Sequence, residues 1–190
     1  AEVPKKRPVP ATALVTAIRK SSGQRTALLG DLRNHLATLH DPKQVEEVRR
    51  EAFEAFARGV DPGSTDSDIQ WISGGNALEK ALFAEGLTYS STGEASGRWL
   101  EWMALNLNPA QLGQPVADLM EEWTEADYQA AGKWLATTAE SPAKQVAVQA
   151  YVEVIANYEP HVAIQWAIHG NWPLDDPEGK TAFQRAHNME

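Results

Sequence analysis

Five histidines are the residues whose spacing would most readily reveal a metal site, because two imidazoles on one helix share a metal ion when they lie about one turn apart. His161 and His169 are eight residues apart, which corresponds to about two helical turns. His35 and His40 are five residues apart, and no His-Glu-x-x-His motif is present. The sequence therefore predicts no metal site and no cofactor.

Acid–base catalysis is the second chemistry that the residue types could support. A glycosidase-type reaction needs two opposed carboxylates, one of them with a raised pKa. Glu121, Glu122 and Glu125 lie close together near one predicted helix end, a pattern typical of a solvated face. The aspartates that follow Asp61-Pro62 lack EF-hand spacing, cysteine is absent, and no serine nucleophile elbow or phosphate-binding loop occurs. We predict no catalytic residue and favour a protein that is not an enzyme.

Tryptophans mark a recurring helical pattern in the second half of the chain. The pattern reads GRWL at residues 97–100, GKWL at 132–135 and IQWA at 164–167, so its tryptophans are 35 and 32 residues apart. Such a period is typical of stacked helical hairpins, each of which buries its apolar face against the next. We predict that Trp99, Trp134 and Trp166 are equivalent packing residues between hairpins.

The other tryptophans of this region are candidates for binding, because a tryptophan ring offers a large, rigid contact face. Trp102, Trp123 and Trp172 lie off the register of the recurring pattern, and we expect them to have a surface role. Trp172 lies in the loop-like segment 170–173 and is the preferred exposed aromatic. Together with His161, these three tryptophans form the predicted binding site.

Helical patterning continues through nearly the whole chain from Ala11 onward. Leucines recur at steps of four, four and three between Leu28 and Leu39, which is one stripe of a helix, and no alternating β-branched run of useful length occurs. The sequence therefore predicts an all-α fold of stacked antiparallel helical hairpins, forming a short α-solenoid or an irregular helical bundle. Capping residues predict helix starts at Asp41-Pro42, Asn108-Pro109, Thr124-x-x-Asp127, Ser141-Pro142, Glu159-Pro160 and Asp176-Pro177.

The domain organisation follows from where the helical pattern is interrupted. Residues 1–10 combine prolines with basic residues and predict a flexible tail, followed by a single all-α domain over residues 11–190. Within that domain we predict a helical hairpin at 11–58, an irregular segment with a helix at 59–97, and helical repeats at 98–190. Long irregular segments often carry function, so a cleft is expected near residues 59–97.

Charge is distributed unevenly over the chain, whose net charge is −9. Residues 1–50 carry ten Lys/Arg against five Asp/Glu, whereas residues 51–190 carry seven against twenty-one. Because an acidic surface repels phosphates, we predict that nucleic acid is not a partner. No run approaches the roughly 20 apolar residues of a membrane helix. The simplest interpretation of the basic residues is a flexible tail without a function. The alternative is that this tail contacts an anionic membrane surface peripherally.

Residues 95–190 carry a further pattern, with SPAK at 141–144, an Ala/Val-rich helix, and EPHVAIQWA at 159–167. This pattern resembles a repeat in predicted envelope proteins of the Verrucomicrobia–Planctomycetes type, which are similar in general form to tetratricopeptide and Sel1-like α-solenoids. The resemblance implies helical-hairpin repeats with a general role in binding, and it carries over no catalytic residue. It favours the bacterial periplasm or envelope over the cytoplasm, and the start at Ala1 is compatible with signal-peptide cleavage or other trimming.

Three functional hypotheses follow from these patterns. The leading one is a non-enzymatic interaction module that presents a groove or face to a protein or peptide partner. The first alternative is a hydrolase of cell-envelope material with a cleft near residues 59–97, which would need two buried carboxylates, or a histidine and a carboxylate, facing one pocket. The second alternative is a structural domain that the basic tail tethers to a membrane or a larger chain.

Overall fold

The chain is all-α wherever its structure, a computed structural model, describes it, namely over residues 11–20 and 24–169. No strand occurs in these two ranges, and the predicted fold class is thereby confirmed. Short 3₁₀ turns at Pro62–Ser64 and Gly93–Ala95 precede two of the helices. The α-helices are α1 Ala11–Lys20, α2 Arg25–Leu36, α3 Pro42–Arg58, α4 Thr65–Ser73, α5 Ala77–Glu85, α6 Tyr89–Thr92, α7 Ser96–Asn106, α8 Pro109–Thr137, α9 Pro142–Ile155 and α10 Pro160–His169.

The helices divide between two compact units, unit 1 over Ala1–Leu87 and unit 2 over Thr88–Glu190. The boundary falls between α5 and α6, inside residues 59–97, for which the sequence predicts an irregular segment with a helix. Each unit has its own set of buried apolar side chains. The prediction of one domain over residues 11–190 stays a prediction, because this division does not test whether the two units fold together.

Unit 1 is built around α3, against which α1, α2 and α5 pack. Its core contains a chain of aromatic rings, Phe53 and Phe56 on α3, Trp71 on α4 and Phe83 on α5, with successive ring centroids 5.8, 5.1 and 6.1 Å apart. Burying one phenylalanine side chain stabilises a fold by roughly 1.5–3 kcal/mol. The cluster therefore holds three helices of unit 1 together, and residues 11–58 supply three helices to this unit where one hairpin was predicted.

Residues 59–97 are more helical than predicted, since they contain α4, α5, α6 and the start of α7. Their polar residues act as helix caps and do not form a loop. The Asp61 carboxylate accepts a hydrogen bond from the Gly63 N–H at 2.7 Å. Asn76 and Glu79 form a capping box, in which each side chain accepts the backbone N–H of the other residue at 3.0 Å. Such caps satisfy the first N–H groups of short helices, which explains why weakly patterned sequence is helical here.

Unit 2 is a set of consecutive helices in which α7 packs on α8, α8 on α9 along much of its length, and α9 on α10. The connections are short, and short connections between packed helices place neighbours antiparallel. The predicted starts at Asn108-Pro109 and Ser141-Pro142 are confirmed, because each capping side chain accepts an N–H three residues later at 3.1 Å. α10 likewise begins at Pro160, as predicted.

Two glycines of the recurring tryptophan pattern let aromatic side chains approach the helix backbone. A Cβ atom at Gly97 would lie 2.6 Å from Cδ1 of Trp134, and a Cβ atom at Gly132 would lie 2.5 Å from the hydroxyl oxygen of Tyr151. Real Cβ atoms do not approach other atoms so closely, so no larger residue fits at either position without a shift. Each glycine on α7 or α8 therefore admits an aromatic side chain from the next long helix in the chain.

None of the helices within residues 11–20 and 24–169 has both the length and the apolar character that a membrane-spanning helix requires. The predicted basic tail at residues 1–10 lies outside the described residues, so its peripheral membrane contact stays a prediction.

Candidate functional site

The two predicted binding tryptophans that the structure describes are buried inside unit 2. Trp102 is 3% exposed and Trp123 is 4% exposed. Trp102 packs against Trp99 and Trp123 against Trp134, with ring centroids 5.7 and 5.9 Å apart. Trp99 and Trp102 are three positions apart on α7, or about one helical turn, whereas Trp123 and Trp134 lie on either side of Asp127, where the backbone of α8 is not helical. The expectation of a surface role is therefore wrong for Trp102 and Trp123.

Burial also differs among the tryptophans that follow the recurring register. Trp99 is fully buried, whereas Trp134 and Trp166 are partly exposed. Trp166 packs edge-on against Tyr151 with ring centroids 5.6 Å apart. All three register tryptophans therefore pack against another aromatic ring, as expected for packing residues, but they are not equivalent in burial.

The remaining predicted binding residues give no shared site in the described part of the chain. His161 is exposed in the first turn of α10. Trp172 lies outside the described residues. A role in binding for these two residues stays a prediction, and the site that follows is built from other side chains.

Buried acids near the predicted cleft at residues 59–97 are held in ion pairs. Asp68 is 4% exposed and forms a salt bridge with Arg25, and Glu79 is 5% exposed and accepts hydrogen bonds from Arg33 at 2.8–3.0 Å. Burial acts to raise the pKa of Glu79, but hydrogen bonds from Arg33 and the Asn76 N–H hold that pKa below its usual value. The described residues contain no cluster of three or more metal-ligating side chains. These acids stabilise unit 1, and the hydrolase hypothesis stays a prediction.

A groove on unit 2 brings together two tyrosines that are exposed to solvent. We call it the tyrosine groove; it has a volume of about 180 Å³ and lies between the second half of α8 and the end of α9. Tyr128 is 36% exposed and Tyr158 is 72% exposed. Single exposed aromatic residues are common, but two that line one cavity indicate a binding surface. The other lining residues are Thr124, Glu125, Val154, Ile155 and Glu159.

Tyr128 reaches the tyrosine groove because α8 is kinked at the residue before it. Asp127 has φ −153° and ψ 79°, which is not helical, and its carboxylate accepts the Ala130 N–H at 3.0 Å. Asp127 therefore caps the second part of α8, three residues after the predicted Thr124 start. On the other side, the Tyr151 hydroxyl of α9 donates to the Tyr128 carbonyl oxygen at 3.1 Å. The kink is thus held both by a local cap and by a neighbouring helix.

Tyr151 makes this kink sensitive to alkaline pH. Burial, and then the charge of Tyr128, raise the pKa of Tyr151 to about 12. An unfolded tyrosine titrates near pH 10, so between about pH 10 and 12 the unfolded chain loses a proton that the folded chain keeps. The free energy of unfolding should therefore fall by about 2.7 kcal/mol in all as pH rises through this window, with the Tyr151 contribution fully present below about pH 10. Urea denaturation at pH 9, 10 and 11 measures the first half of this fall, about 1.4 kcal/mol at pH 11.

The matched comparison for this pH dependence is Tyr151→Phe against Tyr158→Phe. Tyr151→Phe should lower the free energy of unfolding by about 1 kcal/mol at pH 7 and reduce the alkaline slope. Tyr158→Phe changes an exposed hydroxyl and should do neither. Equal alkaline slopes in the native chain and in Tyr151→Phe would contradict the assignment.

Tyr158 is positioned by a tight turn between α9 and α10. The N–H groups of Tyr158 and Glu159 both donate to the carbonyl oxygen of Ile155, at 3.0 and 2.7 Å. The Asn157 N–H donates to the Val154 carbonyl at 3.3 Å. Pro160 then begins α10 and ends the turn. The backbone beneath Tyr158 is therefore fixed by hydrogen bonds, although its side chain points largely into solvent.

The surface around the tyrosine groove is acidic. Glu125 and Glu159 line the groove itself. Burial, and then the charges of Asp118, Glu153 and Glu125, raise the pKa of Glu121 above its usual value. Glu125 thus lies near other carboxylates of α8 and α9 whose charges act in the same direction.

Unit 1 carries larger but more open depressions on either side of Leu78, which is 47% exposed. Charged side chains of both signs line these depressions, namely Arg33, Arg49, Arg50, Glu46 and Glu79, and Arg33 forms a salt bridge with Glu79. The surface consequently has little excess of either charge. The tyrosine groove is the better candidate, because it combines a less open groove, two exposed aromatic side chains and one sign of charge.

Sequence reasoning missed Tyr128 and Tyr158 as site residues, although both carried a signal. Tyr128 follows Thr124-x-x-Asp127, which the sequence analysis reads only as a helix start. Tyr158 lies seven positions, or about two helical turns, after the buried Tyr151, but it is beyond the last residue of α9, Ile155. The sequence signal was that Tyr158 directly precedes Glu159-Pro160, a predicted helix start, so its ring follows the end of one helix and is not on a helix face.

Comparison of the chain with models of protein families, with curated proteins and with solved structures finds no match.

Proposed function

We propose that this protein is a non-enzymatic interaction module that binds a peptide segment of a partner protein in the tyrosine groove of unit 2. The observation that carries the proposal is the placement of Tyr128 and Tyr158 around one cavity with Val154 and Ile155. Tyrosine supplies a large contact area at a low cost in conformational entropy, since it has few rotatable bonds. The arrangement thus has the apolar centre and polar rim that are common to protein interfaces.

The frame around the groove supports binding without a large rearrangement. The kink beneath Tyr128 and the turn beneath Tyr158 are each held by backbone or side-chain hydrogen bonds. A preorganised site loses less entropy when a ligand binds. We further propose that helices of unit 2 are degenerate helical-hairpin repeats, because such repeats commonly offer their surfaces to peptides and proteins.

The first test selects ligands without assuming their charge. A phage library of random twelve-residue peptides is panned against the whole chain, and selected peptides are measured by isothermal titration calorimetry. Tyr158→Ala should weaken their binding by about 2 kcal/mol, or roughly 30-fold, because the ring is a large part of the groove wall. Its melting temperature should change little, since the side chain is 72% exposed in the native chain.

Leu105→Ala is the matched control for this substitution. Leu105 is an exposed apolar residue of α7, at 85%, and belongs to the same unit, but it does not line the tyrosine groove. It should leave peptide affinity unchanged. If panning yields no peptide, or if the selected peptides bind Tyr158→Ala as tightly as the native chain, the tyrosine groove is not the binding site.

A further inference from the structure

The tyrosine groove has carboxylates on its rim that form no salt bridge in the described part of the chain. Glu125 and Glu159 both line the groove. No salt bridge joins either of them to another residue within 11–20 and 24–169. By contrast, Lys144 at the opposite end of α9 is paired with Glu140. Within the described residues, neither carboxylate is therefore neutralised by a salt bridge.

The surroundings of the groove add to its negative potential. Residues 88–169, the part of unit 2 that the structure describes, contain ten Asp/Glu against three Lys/Arg. A cation approaching the groove would thus be attracted by the side chains of the groove and by the net charge of the residues around it.

The size and the walls of the groove suit a single long, positively charged side chain. Its volume of about 180 Å³ is below the roughly 300–1,000 Å³ of pockets that enclose whole small molecules. Tyrosine rings attract cations through their faces, and Val154 and Ile155 offer apolar surface to an aliphatic stem. A lysine or arginine side chain combines such a stem with a charged head.

We propose that the tyrosine groove binds the lysine or arginine side chain of a basic peptide segment, with its charged head between Glu125 and Glu159 and its stem against Val154 and Ile155. This inference rests on the proposed peptide-binding function and specifies the chemistry of the partner. The partner is a protein with an exposed basic segment.

The test compares two synthetic twelve-residue peptides that differ only in charge. Both consist of Gly, Ser and Ala with three arginines in one peptide and three citrullines, the neutral isostere of arginine, in the other. Binding to the whole chain is followed by NMR through the ring resonances of Tyr128 and Tyr158. The arginine peptide should shift both sets of resonances and bind at least about 10-fold more tightly than the citrulline peptide. Its affinity should fall as salt is raised from 50 to 300 mM, because screening weakens exposed charge pairs.

Charge-neutralising variants locate the effect within the molecule. Glu125→Gln/Glu159→Gln should remove most of the preference for arginine over citrulline. Glu94→Gln, which removes an exposed carboxylate of the same unit outside the groove, should keep it. Circular dichroism of each variant reports whether its fold is retained, and Glu125→Gln alone provides a milder change if the double variant is unstable.

The outcomes separate this inference from the proposed function. Equal binding of both peptides, with loss of binding in Tyr158→Ala, overturns the cationic preference and leaves peptide binding in place. A second outcome also overturns the inference, namely that Glu94→Gln weakens binding of the arginine peptide as much as Glu125→Gln/Glu159→Gln does. The peptide would then be attracted to the acidic unit as a whole and not to the groove. Failure of phage-selected peptides to bind at all overturns the proposed function itself.

Discussion

Replacing Arg25 by methionine is expected to lower the free energy of unfolding by about 3–5 kcal/mol, the largest effect that we predict for a single substitution. Arg25 and Asp68 are 7% and 4% exposed and form a salt bridge in unit 1. The Arg25 guanidinium also donates to the carbonyl oxygen of Gly59 at 2.5 Å and lies 5.9 Å from the centre of the Trp71 ring. Methionine fills similar space but leaves the buried Asp68 carboxylate with the Ser64 hydroxyl, at 2.9 Å, as its main partner.

The cost should come mainly from the buried carboxylate that is left behind, and a double variant tests this. Arg25→Met/Asp68→Asn should be more stable than Arg25→Met alone, because it removes the uncompensated charge. Arg58→Met is the control, since Arg58 forms an exposed pair with Glu54 whose loss should cost no more than about 1 kcal/mol. Urea denaturation of the four proteins measures each difference. A cost below about 1 kcal/mol for Arg25→Met would show that the pair contributes little.

Gly86→Ala is expected to destabilise the chain by about 2 kcal/mol, because the new methyl group would meet main-chain atoms that cannot move aside easily. Gly86 is buried at the C-terminal end of α5. A Cβ atom there would lie 2.7 Å from the Cα of Glu54 and 3.0 Å from the Cβ of Ala57, both on α3. The methyl group would force α5 away from α3 and loosen contacts of the aromatic cluster, including Phe83. Thermal and urea denaturation measure the loss.

Gly30→Ala is the matched control and should act in the opposite direction. Gly30 lies inside α2 of the same unit, and a Cβ atom at this position meets nothing within 4 Å. Alanine favours a helix interior over glycine by about 0.8–1 kcal/mol, so Gly30→Ala should stabilise the chain. If Gly86→Ala also stabilises it, the close approach of α5 to α3 is not present in solution.

These two substitutions concern unit 1, whereas the proposed site lies in unit 2. A measured loss of stability in Arg25→Met or Gly86→Ala should therefore not change the way a peptide uses Tyr128 and Tyr158, provided the variant is folded. Peptide affinity at a temperature well below each transition provides that check. The comparison separates residues that hold the fold from residues that contact the ligand.

The sequence by itself determined the fold class and many helix starts. Asp41-Pro42, Asn108-Pro109 and Ser141-Pro142 begin helices as predicted, because capping is a local interaction between residues that are close in the chain. The glycines of GRWL and GKWL also carried information, since they mark places where an aromatic side chain from another helix approaches. Which side chain would arrive there was not readable from the pattern.

Tertiary packing decided which aromatic residues are exposed and where a groove forms. Trp102 and Trp123 are buried and pack against the rings of Trp99 and Trp134, whereas Tyr158 is exposed and lies past the end of α9. Burial of a ring depends on the neighbouring helix that covers it, and that neighbour is distant in sequence. The Tyr128 carbonyl next to the kink at Asp127 likewise accepts a hydrogen bond from the Tyr151 hydroxyl of α9, so Tyr128 and Tyr158 come to line one cavity only in the folded chain.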